Sequence, residues 1–153
     1  MSGAQTSPGE GGIDQMRPAF DADLLFLRRF ADPVVLLARA MMDYIFIVEG
    51  FGKITSYAAV AGYMREHGVA PVLLPLVILT ELGGGLLILV GLKTRWASLA
   101  LAGFCLLTAF VIHLPAGEMI DFQKNVAMAG GFLVLAAFGA GAWSVDGRLG
   151  RAE

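Results

Sequence analysis

The sequence has one cysteine, Cys105, and two histidines, His67 and His113. A lone cysteine excludes an internal disulfide and a Cys-x-x-Cys redox pair. It sits in an apolar run and reads as a small buried hydrophobe. No Cys/His zinc spacing is present, nor a glycine-rich phosphate loop, a Ser-His-Asp set or a dinucleotide fingerprint. These absences argue against a nucleotide-dependent enzyme, and no metal site is expected. A bis-histidine haem on His67 and His113 is disfavoured, because His67 falls at the end of a loop helix. No cofactor is readable.

Charge is scarce as well. Charged residues make up 16% of the 153 residues, and the net charge is -2. Soluble domains carry about 25%. With no cluster of basic residues, the electrostatic footprint of a nucleic-acid binder is missing. What fills the space is apolar: 57% of the residues are hydrophobic, and the mean hydropathy is +0.71. A chain this short has too little interior to hide that much apolar surface. The expected solvent for the excess is the lipid bilayer, and one domain is expected.

Four segments are long and apolar enough to approach the roughly 20 residues that a bilayer core of about 30 Å demands. They run from Pro33 to Gly50, Val72 to Leu92, Trp96 to Leu114 and Asn125 to Trp143. The runs are continuous rather than alternating, which excludes a β-barrel. The predicted fold class is therefore all-α: an integral membrane four-helix transmembrane bundle with a short outer interfacial helix. That short helix is SYAAVAGYMREH, Ser56 to His67. Thr55 or Ser56 is placed to cap it, and Gly68 to end it in the left-handed conformation.

Residues 1–23 are predicted as a disordered cytoplasmic segment, polar and rich in Gly, Ser and Pro. With no apolar h-region there, the first span is expected to act as its own insertion signal. Asp21 and Asp23 can cap a short helix over Leu24–Phe30. That stretch reads equally as an interfacial helix or as a cytoplasmic extension of the first span. Residues 24–147 form the predicted transmembrane domain and 148–153 a cytoplasmic tail.

Orientation follows Lys and Arg. Seven lie on one side of the predicted membrane: Arg17, Arg28, Arg29, Lys93, Arg95, Arg148 and Arg151. Three lie on the other: Lys53, Arg65 and Lys124. Both termini are therefore expected in the cytoplasm of a bacterium, with the chain in the inner membrane.

Ionisable groups at membrane depth are functional candidates. Arg39 and Asp43 stand four apart and share a helix face. Glu81, on the facing span, is predicted to reach the same arginine, giving a buried Arg39–Asp43–Glu81 cluster. It reads as a polar staple between helices, with proton or substrate chemistry as the alternative. A second cluster gathers at the outer ends: Glu49, Lys53, His113, Lys124 and Asn125. The glycines after Glu81 (Gly83, Gly84, Gly85) are expected to let helices pack closely.

Several motifs together resemble the DoxX family of small bacterial membrane proteins. They are EGFGKI (Glu49 to Ile54), HGVAP (His67 to Pro71), TELGGGLLILVGLKTRWA (Thr80 to Ala97) and QKNVAMAGGFLVLAAFGAGAWSVDG (Gln123 to Gly147). Glu49, Gly52, Lys53, Glu81, Gly84, Gly91, Arg95, Lys124 and Asn125 match the pattern best. The resemblance implies four transmembrane helices. It also implies association with an oxidoreductase system, since the family is named for a subunit of a thiosulfate:quinone oxidoreductase, although many members have no established activity.

Three readings follow: a membrane subunit or partner of an oxidoreductase with quinone contact, a non-catalytic scaffold or assembly factor for a redox enzyme, and a small transporter. The expected partners are the bilayer and a soluble or membrane redox protein. Oligomerisation of the chain would supply the helices that a transporter lacks.

Overall fold

The computed structural model describes the backbone of residues 10–150 and side chains from Arg29 to Gly150. Six helices carry it. α1 spans Glu10–Thr55 and α2 Tyr57–Glu66. α3 spans Pro71–Val90 and α4 Thr94–Ala116. α5 spans Met119–Phe138 and α6 Val145–Leu149. No strand occurs among the described residues.

α1 corrects one expectation and decides between two others. Residues 1–9 lie outside the described residues, but from Glu10 onward the segment predicted as disordered is already helical. Of the two readings of Leu24–Phe30, the extension of the first span agrees with the continuous α1, and the separate interfacial helix does not. No glycine falls between Gly12 and Gly50, and Leu, Ala, Met and Arg are frequent there. Good helix formers carry α1 onward, and it runs through both Pro18 and Pro33, the two positions where propensity would have interrupted it.

Within the membrane-length part of α1 the usual distribution is inverted. Val34, Leu37, Met41, Tyr44, Val48 and Phe51 recur at steps of three and four and are exposed. Arg39, Asp43 and Phe46 occupy the opposite face and are buried. An apolar outer stripe with charges inside is what a lipid-facing helix requires.

Among the described residues, α3 and α4 are the two helices long and apolar enough to cross a membrane by length and composition. α1 and α5 dilute their apolar runs with polar groups: Arg39, Asp43 and Glu49 in one, Asp121, Lys124 and Asn125 in the other. α5 ends at Phe138, short of the predicted Trp143. Gly139 and Gly141 there take φ of 85° and 74°. Positive φ is easy only for glycine and breaks the helix.

Packing runs mainly between α4 and α5 and between α1 and α3. The core joins them through Phe46, Ile88, Leu101, Cys105 and Phe132, and the Phe46 and Phe132 rings meet edge to face at 5.3 Å. Large apolar side chains cover the outside, among them Leu76, Leu79, Leu107, Phe110 and Val134. So much exposed apolar surface has no place in water. The molecule is an all-α membrane protein.

Two helices carry π turns, at Leu79–Gly83 in α3 and Ala109–His113 in α4. Such turns insert an extra residue and re-aim the side chains around them. Glu81 lies in the first and His113 in the second.

α2 is shorter than predicted, and neither Thr55 nor Ser56 caps it with a side chain. Ser56 makes no cap hydrogen bond, and the Thr55 hydroxyl donates back to the Gly52 carbonyl at 2.9 Å. Gly68 does turn left-handed, at φ 71°.

Candidate functional site

Of the predicted Arg39–Asp43–Glu81 cluster, Arg39 and Asp43 share one buried face, but Glu81 does not join them. Arg39 is fully buried and donates to two carbonyls: Nη2 to Trp143 O at 2.6 Å and Nη1 to Ile88 O at 3.3 Å. It closes the end of α3 and anchors the segment after α5. A cation belongs beside helix C-terminal carbonyls. Asp43 is also fully buried, and neither of its carboxylate oxygens has a hydrogen-bond partner among the described residues.

Glu81 lies elsewhere because α1 and α3 are antiparallel. Arg39 is level with Ile88 and Gly91, Asp43 with Gly85, and Gly50 with Leu82. Glu81 is seven residues from Ile88, about 10 Å along a helix at 1.5 Å per residue. That places it beside Lys53, whose Nζ stands 2.9 Å from Glu81 Oε2. The contact is an ion pair set off the direction of a hydrogen bond. Lys53 also meets Glu49, one turn back on α1, at 3.4 Å.

The outer-end cluster is brought together. Glu49, Lys53, His113, Lys124 and Asn125 all line one open cavity of about 1100 Å³, and Glu81 joins them. Apolar walls surround these groups, contributed by side chains such as Phe46, Leu76, Val77, Phe104 and Met128.

One wall carries residues that sequence reasoning did not single out. His113 Nδ1 lies 2.7 Å from Glu118 Oε2, and the Tyr63 hydroxyl donates to the same oxygen at 3.3 Å. Asp121 pairs with Lys124 one turn along α5. Asn125 donates to the Asp121 carbonyl at 2.8 Å and accepts from Thr108 at 3.4 Å. The signal was present: Leu-Pro-Ala-Gly, Leu114 to Gly117, predicts a turn that folds Glu118 back onto His113. Gly117 indeed takes φ 75°. Tyr63 comes from α2, whose docking no local pattern announces. Burial, followed by the Glu118 charge, raises the Tyr63 phenol above its ordinary value.

His67 takes no part in this site. Its Nδ1 meets the Tyr63 carbonyl at 2.8 Å, and its ring stacks on Tyr63.

The opposite end is closed by the segment after α5. The Asp146 carboxylate accepts from the Lys93 and Thr94 amides, both at 2.8 Å, and so caps α4. Ser144 accepts from Gly147 N and donates to Gly141 O. Asp32 on α1 accepts from Ala142 N at 2.7 Å. Gly91 turns at φ 74° against Arg39 and Ser144, where a Cβ would collide with both.

Comparison with known proteins decides the family. The DoxX family model matches residues 34–114. The chain belongs to the DoxX family. Its relatives include the inner membrane protein YqjF of Escherichia coli (strain K12), 49% identical over 123 residues, 78% of this chain and 95% of the relative. The inner membrane protein YphA of the same organism is 36% identical over 129 residues, 77% of this chain and 92% of the relative. No solved structure matches. Within this DoxX chain, the matched region holds Arg39, Asp43, Lys53, Glu81 and His113, while Glu118, Asp121, Lys124 and Asn125 follow it.

Proposed function

We propose that this DoxX protein is a bacterial inner-membrane subunit or partner of an oxidoreductase system, and that its cavity receives a lipid-soluble redox carrier of the quinone type. The observation that carries the reading is the cavity itself: apolar walls around the paired Lys53 and Glu81, with His113 on another wall. An apolar slot with a few proton donors and acceptors suits a flat, weakly polar headgroup that takes up protons on reduction. In this reading Glu81 and Lys53 bind the headgroup oxygens, and His113 with Glu118 exchanges protons with the solvent side. Electrons in this reading come from a partner protein.

The same reading places four helical segments across the membrane: the apolar part of α1, then α3, α4 and α5. Both termini are cytoplasmic and the cavity faces outward. The Lys and Arg distribution supports this orientation.

The test is purification of the full chain in mild detergent, followed by mass spectrometry of co-purifying proteins and lipid-soluble small molecules. Quinone that is retained by the wild type and lost in Glu81→Gln is the expected result. A stable protein partner without quinone replaces this reading with the scaffold, and recovery of neither rejects both.

A further inference from the structure

His113, Glu118 and Asp121 each offer one ligand atom, and these atoms lie within 4.8 Å of one another. We propose that the three residues form a binding site for a divalent first-row transition metal, with Zn²⁺ and Mn²⁺ as the fitting ions. The site shares His113 and Glu118 with the proton exchange proposed above, but metal binding does not require that a redox carrier enter the cavity.

The donor set comes first. One imidazole nitrogen and two carboxylates suit Zn²⁺ or Mn²⁺ better than Cu⁺, which wants sulfur, or Ca²⁺, which wants oxygen alone. Donors bonded to one Zn²⁺ at about 2.0–2.2 Å stand roughly 3–4 Å apart. The present donor atoms, all within 4.8 Å of one another, need only a small contraction to reach that spacing.

The backbone assembles the set from three segments. The π turn Ala109–His113 presents His113 at the end of its run. Gly117, at φ 75°, reverses the chain so that Glu118 faces back. Asp121 lies in the first turn of α5. The three are half-buried on the cavity wall, within reach of an ion from solvent.

Charge favours a cation. The cavity is lined by four carboxylates (Glu49, Glu81, Glu118 and Asp121) against two ammonium groups. Lys53 is taken up by Glu49 and Glu81, and Lys124 by Asp121. Glu118 is left with His113 and Tyr63 as partners. A metal ion replaces the proton shared by His113 and Glu118 and displaces Lys124 from Asp121. With three protein ligands, at least one coordination position stays open, as in catalytic rather than structural zinc sites.

The experiment uses the full chain in detergent, purified without a polyhistidine tag, and titrated calorimetrically with Zn²⁺, Mn²⁺ and Ca²⁺. Wild type is expected to bind about one equivalent of Zn²⁺ or Mn²⁺ and to gain thermal stability with it, by mass action. His113→Ala is expected to weaken Zn²⁺ by more than about tenfold, the loss that even outer-shell partners cause. Lys124→Met removes the competing cation and is expected to tighten it by about two- to fivefold, the worth of an exposed ion pair. Glu118→Gln, close to isosteric, serves as the second variant if His113→Ala does not fold. No saturable Zn²⁺ or Mn²⁺ binding, equal affinity in wild type and variant, or Ca²⁺ binding as tight as Zn²⁺ overturns the site.

Discussion

Lys53 on α1 and Glu81 on α3 meet at 2.9 Å, with the glutamate side chain 7% and the lysine side chain 18% exposed. The pair ties the two helices together beside the cavity. Removing one partner of a buried pair strands the other charge, at a cost of about 3–5 kcal/mol. The partial exposure of Lys53 puts the cost at the lower end. Lys53→Met is therefore expected to lower the melting temperature in detergent more than Glu81→Gln, which leaves a lysine free to reach Glu49. A double variant no less stable than Lys53→Met alone confirms the coupling, whereas additive losses show that the two act separately.

Gly91→Ala is expected to be among the most damaging single-methyl changes in the chain. The position has φ 74°, and its added Cβ meets both the Arg39 guanidinium and Ser144. An alanine at positive φ costs about 1–2 kcal/mol before any clash, and moving the buried arginine adds to that. Thermal unfolding of the purified protein reads the loss. Gly103→Ala, mid-helix and with nothing within 4 Å of an added Cβ, is the control expected to leave stability unchanged or slightly raised.

Asp146 supplies a pH dependence. Partial burial works to raise its pKa, but the amide hydrogen bonds from Thr94 and Lys93 outweigh it, so the carboxyl titrates below its ordinary 3.8. A depressed folded-state pKa means stability that is complete above 3.8 and lost as pH falls through and below it. Asp146→Asn is expected to lose about 1 kcal/mol at neutral pH, the scale of a helix cap. It is also expected to flatten the acid limb of the stability curve. An unchanged acid limb assigns that limb to other carboxylates.

Orientation is tested with reporter fusions. A fusion after Glu153 is expected to be active only as a cytoplasmic reporter, and one inserted at Gly68 only as a periplasmic one. The opposite pattern inverts the proposed topology and turns the cavity toward the cytoplasm.

The sequence by itself determined the class of solvent and the kind of fold. Apolar runs with few charges admit no other reading, because burying that surface within so short a chain is geometrically impossible. The turn at Gly68 was legible for a similar reason, since only particular residues tolerate left-handed backbone. The outer-end cluster was legible from depth alone: Glu49, Lys53, His113, Lys124 and Asn125 share an end whatever the helix rotations. Glu81 was misplaced because depth counted from span ends ignores the register of α3 against α1. That register is set by close packing at Gly50, Gly85 and Gly91. Only the tertiary structure decided that Arg39 serves carbonyls at one end while Glu81 serves Lys53 toward the other. Only it brought Tyr63, Glu118 and Asp121 to His113. Side-chain partners across helices depend on rotation and stagger, which the order of residues along the chain does not encode.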